Sequence, residues 1–206
     1  MSTSLDESAR LAGSHAWFER RMFEILGSWV ASTPDPAVKL MLDRHSQHHA
    51  WRARQWWDRL PVLADVDRDA LIEPAGAAVA AALARLQALA APPAADPSPT
   101  DTAPAGTPAA DTAPADTAAA TSTVARLAGA YRFALPRLWA SYEHHRALAG
   151  PVADGSTLRT LDIVASDAAA DWRQGEALLQ GLLADRETVA AAASAVRILE
   201  ATIVGE

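Results

Sequence analysis

The segment Ala9-Arg10-Leu11-Ala12-Gly13 returns as Ala125-Arg126-Leu127-Ala128-Gly129. From each copy a long helix-turn-helix pattern follows, and each second helix carries a Trp-Arg pair, Trp51-Arg52 and Trp172-Arg173. Two amphipathic hairpins on one chain bury their apolar faces most simply against each other, which predicts an all-α four-helix bundle. Strand formers are sparse, and no useful stretch alternates apolar and polar residues with period two.

The 206 residues suit one domain with an elaborate connection. Half are hydrophobic, but alanine supplies much of that share, so the helices should approach closely rather than interleave bulky side chains. The formal charge of −7 argues against nucleic-acid binding, which needs a basic surface to displace counterions from phosphate. The chain has no cysteine, so disulfides, thiolate nucleophiles and zinc-thiolate sites are excluded. No run of about 18 apolar residues offers a membrane span. Met1 to Arg10 is polar and acidic without an apolar export core, so a cytoplasmic protein is expected.

Periodicity and breakers divide the chain into five parts. Residues 1–61 form a first helical hairpin, turned at Pro34-Asp35-Pro36. Residues 62–90 form a connector with an accessory helix. Residues 91–122, nearly all Ala, Pro, Thr, Asp and Ser, read as a disordered linker, because they bury too little apolar area to offset ordering entropy. Residues 123–183 form a second hairpin, in which Pro136 should kink the first helix. Residues 184–206 form a C-terminal helix. At a shift of 116 the inner stripe of the second hairpin reads Leu127, Tyr131, Ala134, Leu138, Ser141 and His145.

The informative residues are ionisable groups on otherwise apolar stripes, since a buried charge needs a partner or a metal. Glu19 lies on the inner rows of the first helix, one turn from His15. The second helix places His45, His48, His49 and Arg52 on its inner stripe. His45 and His49 are four residues apart and His45 and His48 three, spacings that put two rings on one face. Counted from the turn near Thr33, Glu19 and these histidines reach the same height at about 1.5 Å per residue. Two readings stay open: a fully hydrogen-bonded structural network, or a metal site of Glu19, His45, His48 and His49. His15, Arg52, Asp167 and Asp171 would complete or support that site. The later hairpin reads as chemically silent, with Leu135, Ser166 and Ala170 where the earlier one has Glu19, His45 and His49. Trp51 and Trp172 are expected to pack symmetrically in the core. Trp51, Trp56 and Trp57 together exceed what one stripe buries, which points to a homo-oligomer or a protein partner.

This arrangement resembles the ferritin-like superfamily, as a degenerate member of actinobacterial type. The resemblance implies two hairpins joined by a long crossover. In that superfamily each hairpin supplies a Glu and then a Glu-x-x-His, which hold two metal ions. Here the second-helix motif is His45-Ser46-Gln47-His48, and the second hairpin has no Glu-x-x-His. A full di-iron site is therefore not implied. One ion of iron, manganese or zinc held by the first hairpin is the most that carries over. The expected function is a ferritin-like interaction or partner-subunit module; the alternative is a metal-binding oxidoreductase using that single site.

Overall fold

The computed structural model describes residues 4–62, 67–89 and 113–205, with side chains of the last stretch from 117 onward. Among them every regular element is helical. Helix α1 (Leu5–Val30) is capped by Ser4, whose hydroxyl oxygen accepts from the Glu7 amide at 3.2 Å. Helix α2 (Pro36–Trp57) starts on Asp35, whose carboxylate accepts from the Ala37 and Val38 amides. Pro36 opens its first turn, where no amide hydrogen is needed. The five-residue connection leaves α1 and α2 antiparallel along their lengths. A 3₁₀ turn (Arg68–Leu71) and α3 (Ala77–Ala88) follow.

Helix α4 (Ala113–Ala128) runs without a break through a π turn (Gly129–Ala134) into α5 (Leu135–Leu148). The composition-based linker is thus corrected at its end. Residues 113–122 are the opening turns of α4, because alanine is the strongest helix former and the helix is anchored by buried Val124 and Leu127. The rest of that linker, residues 91–112, lies outside the described residues. Pro136 sits in the first turn of α5, directly after the π turn. The Leu135 amide bonds back five residues to Ala130, which widens the helix where the proline ring would otherwise crowd it. Helix α6 (Gly155–Leu182) returns along α5, and α7 (Arg186–Val204) packs on α4 behind an Asp185–Thr188 capping box.

Four contacts close a ring: α1 on α2, α2 on α6, α6 on α5 and α5 on α1. His45 with Gln174 and Arg52 with Asp167 make α2 and α6 antiparallel, and Arg146 with Asp162 and Arg132 with Glu176 make α6 antiparallel to the rod that ends in α5, so α2 and α5 run parallel. The core divides in two. One cluster holds Met22, Ile25, Leu26, Trp29, Met41 and Leu42 against Leu127, Phe133 and Leu135. The other gathers Ala12, Ala16, Trp56 and Leu60 with Leu138, Leu161 and Val164. Between them lies a layer of charge. Two glycines permit close helix approach: a Cβ on Gly13 would stand 1.9 Å from the Leu71 carbonyl oxygen, and one on Gly175 2.3 Å from the Tyr131 ring.

Trp51 and Trp172 do not pack symmetrically. Trp51 is 44% exposed, whereas Trp56 is fully buried and Trp172 half-covered against the first cluster. Neighbouring helical residues differ by about 100° in direction, so Trp51 and Arg52 cannot both face inward. The guanidinium takes the inner position. On α6 the same geometry turns Asp171 inward, Arg173 outward and Trp172 to the flank against the first cluster.

Candidate functional site

Helix α2 aims His45, His49, Arg52 and Trp56 inward, four positions recurring every three or four residues along one face. Facing them are His15 and Glu19 from α1, Tyr131 from the π turn, Tyr142 and His145 from α5, and Asp167, Asp171 and Gln174 from α6. All of them but His15 and His145 form one hydrogen-bonded layer centred on Arg52.

Arg52 is wholly buried. Its Nε donates to Glu19 Oε1 at 2.8 Å, and its NH1 donates to Asp171 Oδ2 at 2.8 Å and to Asp167 Oδ2. One guanidinium therefore joins a carboxylate from α1 to two carboxylates on α6. Its own charge is locked in: burial works against the cation, but Glu19, Tyr142 and Asp171 outweigh it and push the pKa further up. Glu19 is equally enclosed. Tyr142 donates its hydroxyl to Glu19 Oε1, and His49 Nδ1 donates to Glu19 Oε2. Burial alone would raise the Glu19 pKa, yet Arg52, then His49, and the bonds from His49 and Tyr142 hold it below the usual carboxylate range. Trp56 Nε1 closes the edge by donating to the Tyr142 oxygen at 3.2 Å.

The α6 side is built likewise. His45 Nδ1 lies 2.8 Å from the Tyr131 hydroxyl, and its Nε2 lies 2.9 Å from Gln174 Oε1 and 3.4 Å from Asp171 Oδ1. Burial lowers the His45 pKa against the opposing pull of Asp171, so the ring is neutral. A neutral imidazole donates once and accepts once, which fixes the proton on Nε2 and makes Nδ1 the acceptor of the tyrosine hydrogen. His48, half-exposed, sets Nδ1 2.8 Å from Asp171 Oδ1. Burial raises Asp171, but His45, then Arg52, and the bonds from Arg52 and His48 bring it below its ordinary value.

The remaining imidazoles form a third group. His15 Nε2 is 3.1 Å from His145 Nδ1, His15 Nδ1 is 3.4 Å from Ser141 Oγ, and Ser141 donates to the Leu138 carbonyl at 2.9 Å. Burial and the neighbouring histidines hold His15 well below 6.5, and burial lowers His145 to about 4. Both rings pack on Trp56, and His15 meets Tyr142 edge-on.

The structure thus brings Glu19, His49 and Arg52 together, and separately gathers His45, His48, Asp167 and Asp171. It does not bring Glu19, His45, His48 and His49 onto one point. Both Glu19 oxygens and both His45 nitrogens already have partners, and a guanidinium sits between the α1 and α6 carboxylates. A cation beside those oxygens would meet the Arg52 charge at close range, so this set does not fit a metal ion. His15 lies a turn away with His145 and Ser141, apart from any such shell. The donors that do approach one another are His48, Asp167 and Asp171, whose atoms lie within 4.8 Å.

The second hairpin is not silent. Tyr131, Tyr142, His145, Asp167, Asp171 and Gln174 bond to Glu19, His15, His45, His48 and Arg52 of the first hairpin. Tyr142 had a signal in the sequence, since it falls four residues after Leu138 on the inner face. Gln174 had none. Comparisons with protein-family models, with curated proteins and with solved structures find no match for this chain.

Proposed function

We propose that this chain is a ferritin-like four-helix bundle in which an arginine stands where the superfamily holds metal, and that it works as an interaction module. The topology supports the first part: two hairpins joined by a long crossover, with α2 and α5 parallel as one such crossover requires. The observation that carries the second is the set of Arg52 bonds to Glu19, Asp167 and Asp171. These spend the carboxylates on an internal cation and tie three helices into a fixed register, leaving chemistry to the outer surface. That surface carries Leu40 at 72% and Trp51 at 44% exposure on α2, where a second copy or another protein can dock.

Elemental analysis of untagged protein, after incubation with iron(II), manganese(II) and zinc(II) and removal of excess, tests the metal half. Less than a tenth of an ion per chain is expected. A stoichiometric ion lost in Glu19→Ala would sink the reading. Sedimentation of the wild type against Leu40→Glu and Trp51→Glu tests the association half, with the variants expected to shift toward monomer or lose a co-purifying protein.

One observation favours a second reading, a single divalent ion at the mouth of the layer. His48 and Asp167 are partly open, Asp171 is buried, and the three donor atoms converge. Such an ion competes with Arg52 for both carboxylates, so weak binding is expected. Zinc titration of the wild type and His48→Ala separates the two readings: heat lost in His48→Ala but kept in Glu19→Gln assigns the outer site.

A further inference from the structure

Outside the charged layer, the side chains of α1, α3, α5 and the end of α7 enclose a cavity of about 260 Å³. Its floor is Leu83 and Phe133, both about 1% exposed, and its sides include half-buried Val79 and Ile203. The charged lining groups are all cationic: Arg10 and Arg137 stand at the solvent side, and none of the described lining residues is a carboxylate. Arg137 is held in place, its guanidinium 4.0 Å over the Phe133 ring, bonded to Glu200 and to the Phe133 carbonyl oxygen. Glu200 offsets much of that charge. Arg10 is exposed and has no ion pair or hydrogen bond among the described residues; it also borders a neighbouring groove lined by Asp6 and Glu73, so its guanidinium is the unbonded cation at the opening.

The polar back wall adds no charge. His15 is neutral, and its bonds to His145 and Ser141 form a directed chain ending on the Leu138 carbonyl. In that chain His145 Nδ1–H donates to His15 Nε2, His15 Nδ1–H donates to Ser141, and Ser141 donates to the carbonyl. The cavity is therefore apolar within and positive at its rim, just under the size range of small-molecule pockets, which starts at about 300 Å³. Phe133 enters it from the π turn, an irregularity frequent at functional sites.

We infer that this cavity binds a small apolar organic anion, its hydrocarbon part against Leu83 and Phe133 and its carboxylate at Arg10. The inference is independent of the metal question, because no residue of the Arg52 cluster lines the cavity.

Isothermal titration with octanoate, 3-phenylpropionate and octan-1-ol tests it on the full chain. Saturable one-to-one binding of at least one carboxylate is expected, at least about 10-fold tighter than octan-1-ol, and the tighter carboxylate tells whether a chain or a ring fits. Arg10→Glu should weaken it at least about 5-fold, while Arg173→Glu, on the exposed face of α6, should leave it unchanged. Val79→Trp and Ile203→Trp fill the space from opposite sides and should each abolish binding with circular dichroism intact. If one of them unfolds, the other decides, together with a shift of the His15 ring resonances at saturation. Absence of saturable binding, equal affinity for octanoate and octan-1-ol, or binding retained in a folded tryptophan variant would overturn the proposal.

Discussion

The inner faces of α2 and α6 meet across the bundle, and they differ in kind. Helix α2 brings donors and rings: His45, His48, His49 and Arg52. Helix α6 brings acceptors: Asp167, Asp171 and Gln174. Read alone, each face resembles half of an incomplete site. Packed together they bond across the bundle, Arg52 to Asp167 and Asp171, His48 to Asp171 and His45 to Gln174, and Glu19 and Tyr142 close the opposite side, with the buried His49 Nε2 left without a partner among the described residues. A difference in residue type between two hairpins of one chain need not mean that one is vestigial; here the two faces carry complementary charge.

The comparison breaks most sharply at its centre. Arg52→Met leaves Glu19 and Asp171 buried without their cation and should cost about 3–5 kcal/mol, read as a lower midpoint in urea unfolding. Adding Glu19→Gln to Arg52→Met should recover part of that loss, since it removes the stranded charge. An additive double mutant would show that the groups are not coupled. Next in size is the contrast between two tryptophans five residues apart. Trp56→Ala should lose about 3–5 kcal/mol, whereas exposed Trp51→Ala should stay within about 0.5 kcal/mol.

Acidification weakens both faces in the same direction. The folded chain keeps His15, His45, His49 and His145 below 6.5, so as pH falls below that value the unfolded chain binds protons the folded one refuses. Stability from these rings is present above 6.5 and is lost down toward the folded value of about 4 for His145. Glu19 and Asp171, both depressed, add a loss at still lower pH. Calorimetry should show Tm falling on the order of 5–10 °C between pH 7 and 4.5, each kcal/mol being worth about 2–4 °C in a chain of this size. A Tm that rises on acidification would contradict the neutral assignment of the rings.

The smallest contrast lies along α6 itself. Gly175→Ala forces a methyl into the Tyr131 ring and should cost about 1–3 kcal/mol, disturbing the Tyr131–His45 bond. Gly181→Ala meets nothing within 4 Å and should gain up to about 1 kcal/mol from helix propensity. Equal effects at the two positions would mean that α6 is not pressed onto the π turn.

Helix positions were readable because apolar spacing and breakers such as Pro34-Asp35-Pro36 are local signals, and α1 and α2 lie on either side of that breaker. The inward direction of Glu19, His45 and His49 was readable for the same reason. What each would bond to was not. Arg52 and a metal ion answer the same need for positive charge, and periodicity does not distinguish them. The register carried over from the first hairpin favoured Ser141, whereas Tyr142, one residue on, reaches Glu19. Leu138 and His145 keep the inward positions that register gave them, and Tyr142, four residues after the one and three before the other, lies on the same face.

The widened turn at Gly129–Ala134 sets the angular relation between two lengths of a single rod. Upstream, α4 answers to α7; downstream, α5 answers to α1 and α6. Winding the same residues as an ordinary α-helix would swing everything beyond the turn by about 100°. Tyr142 and His145 would then point away from their partners while Val124 and Leu127 kept theirs. The joint thus lets one helix satisfy two neighbourhoods that no straight α-helix of this sequence could face at once.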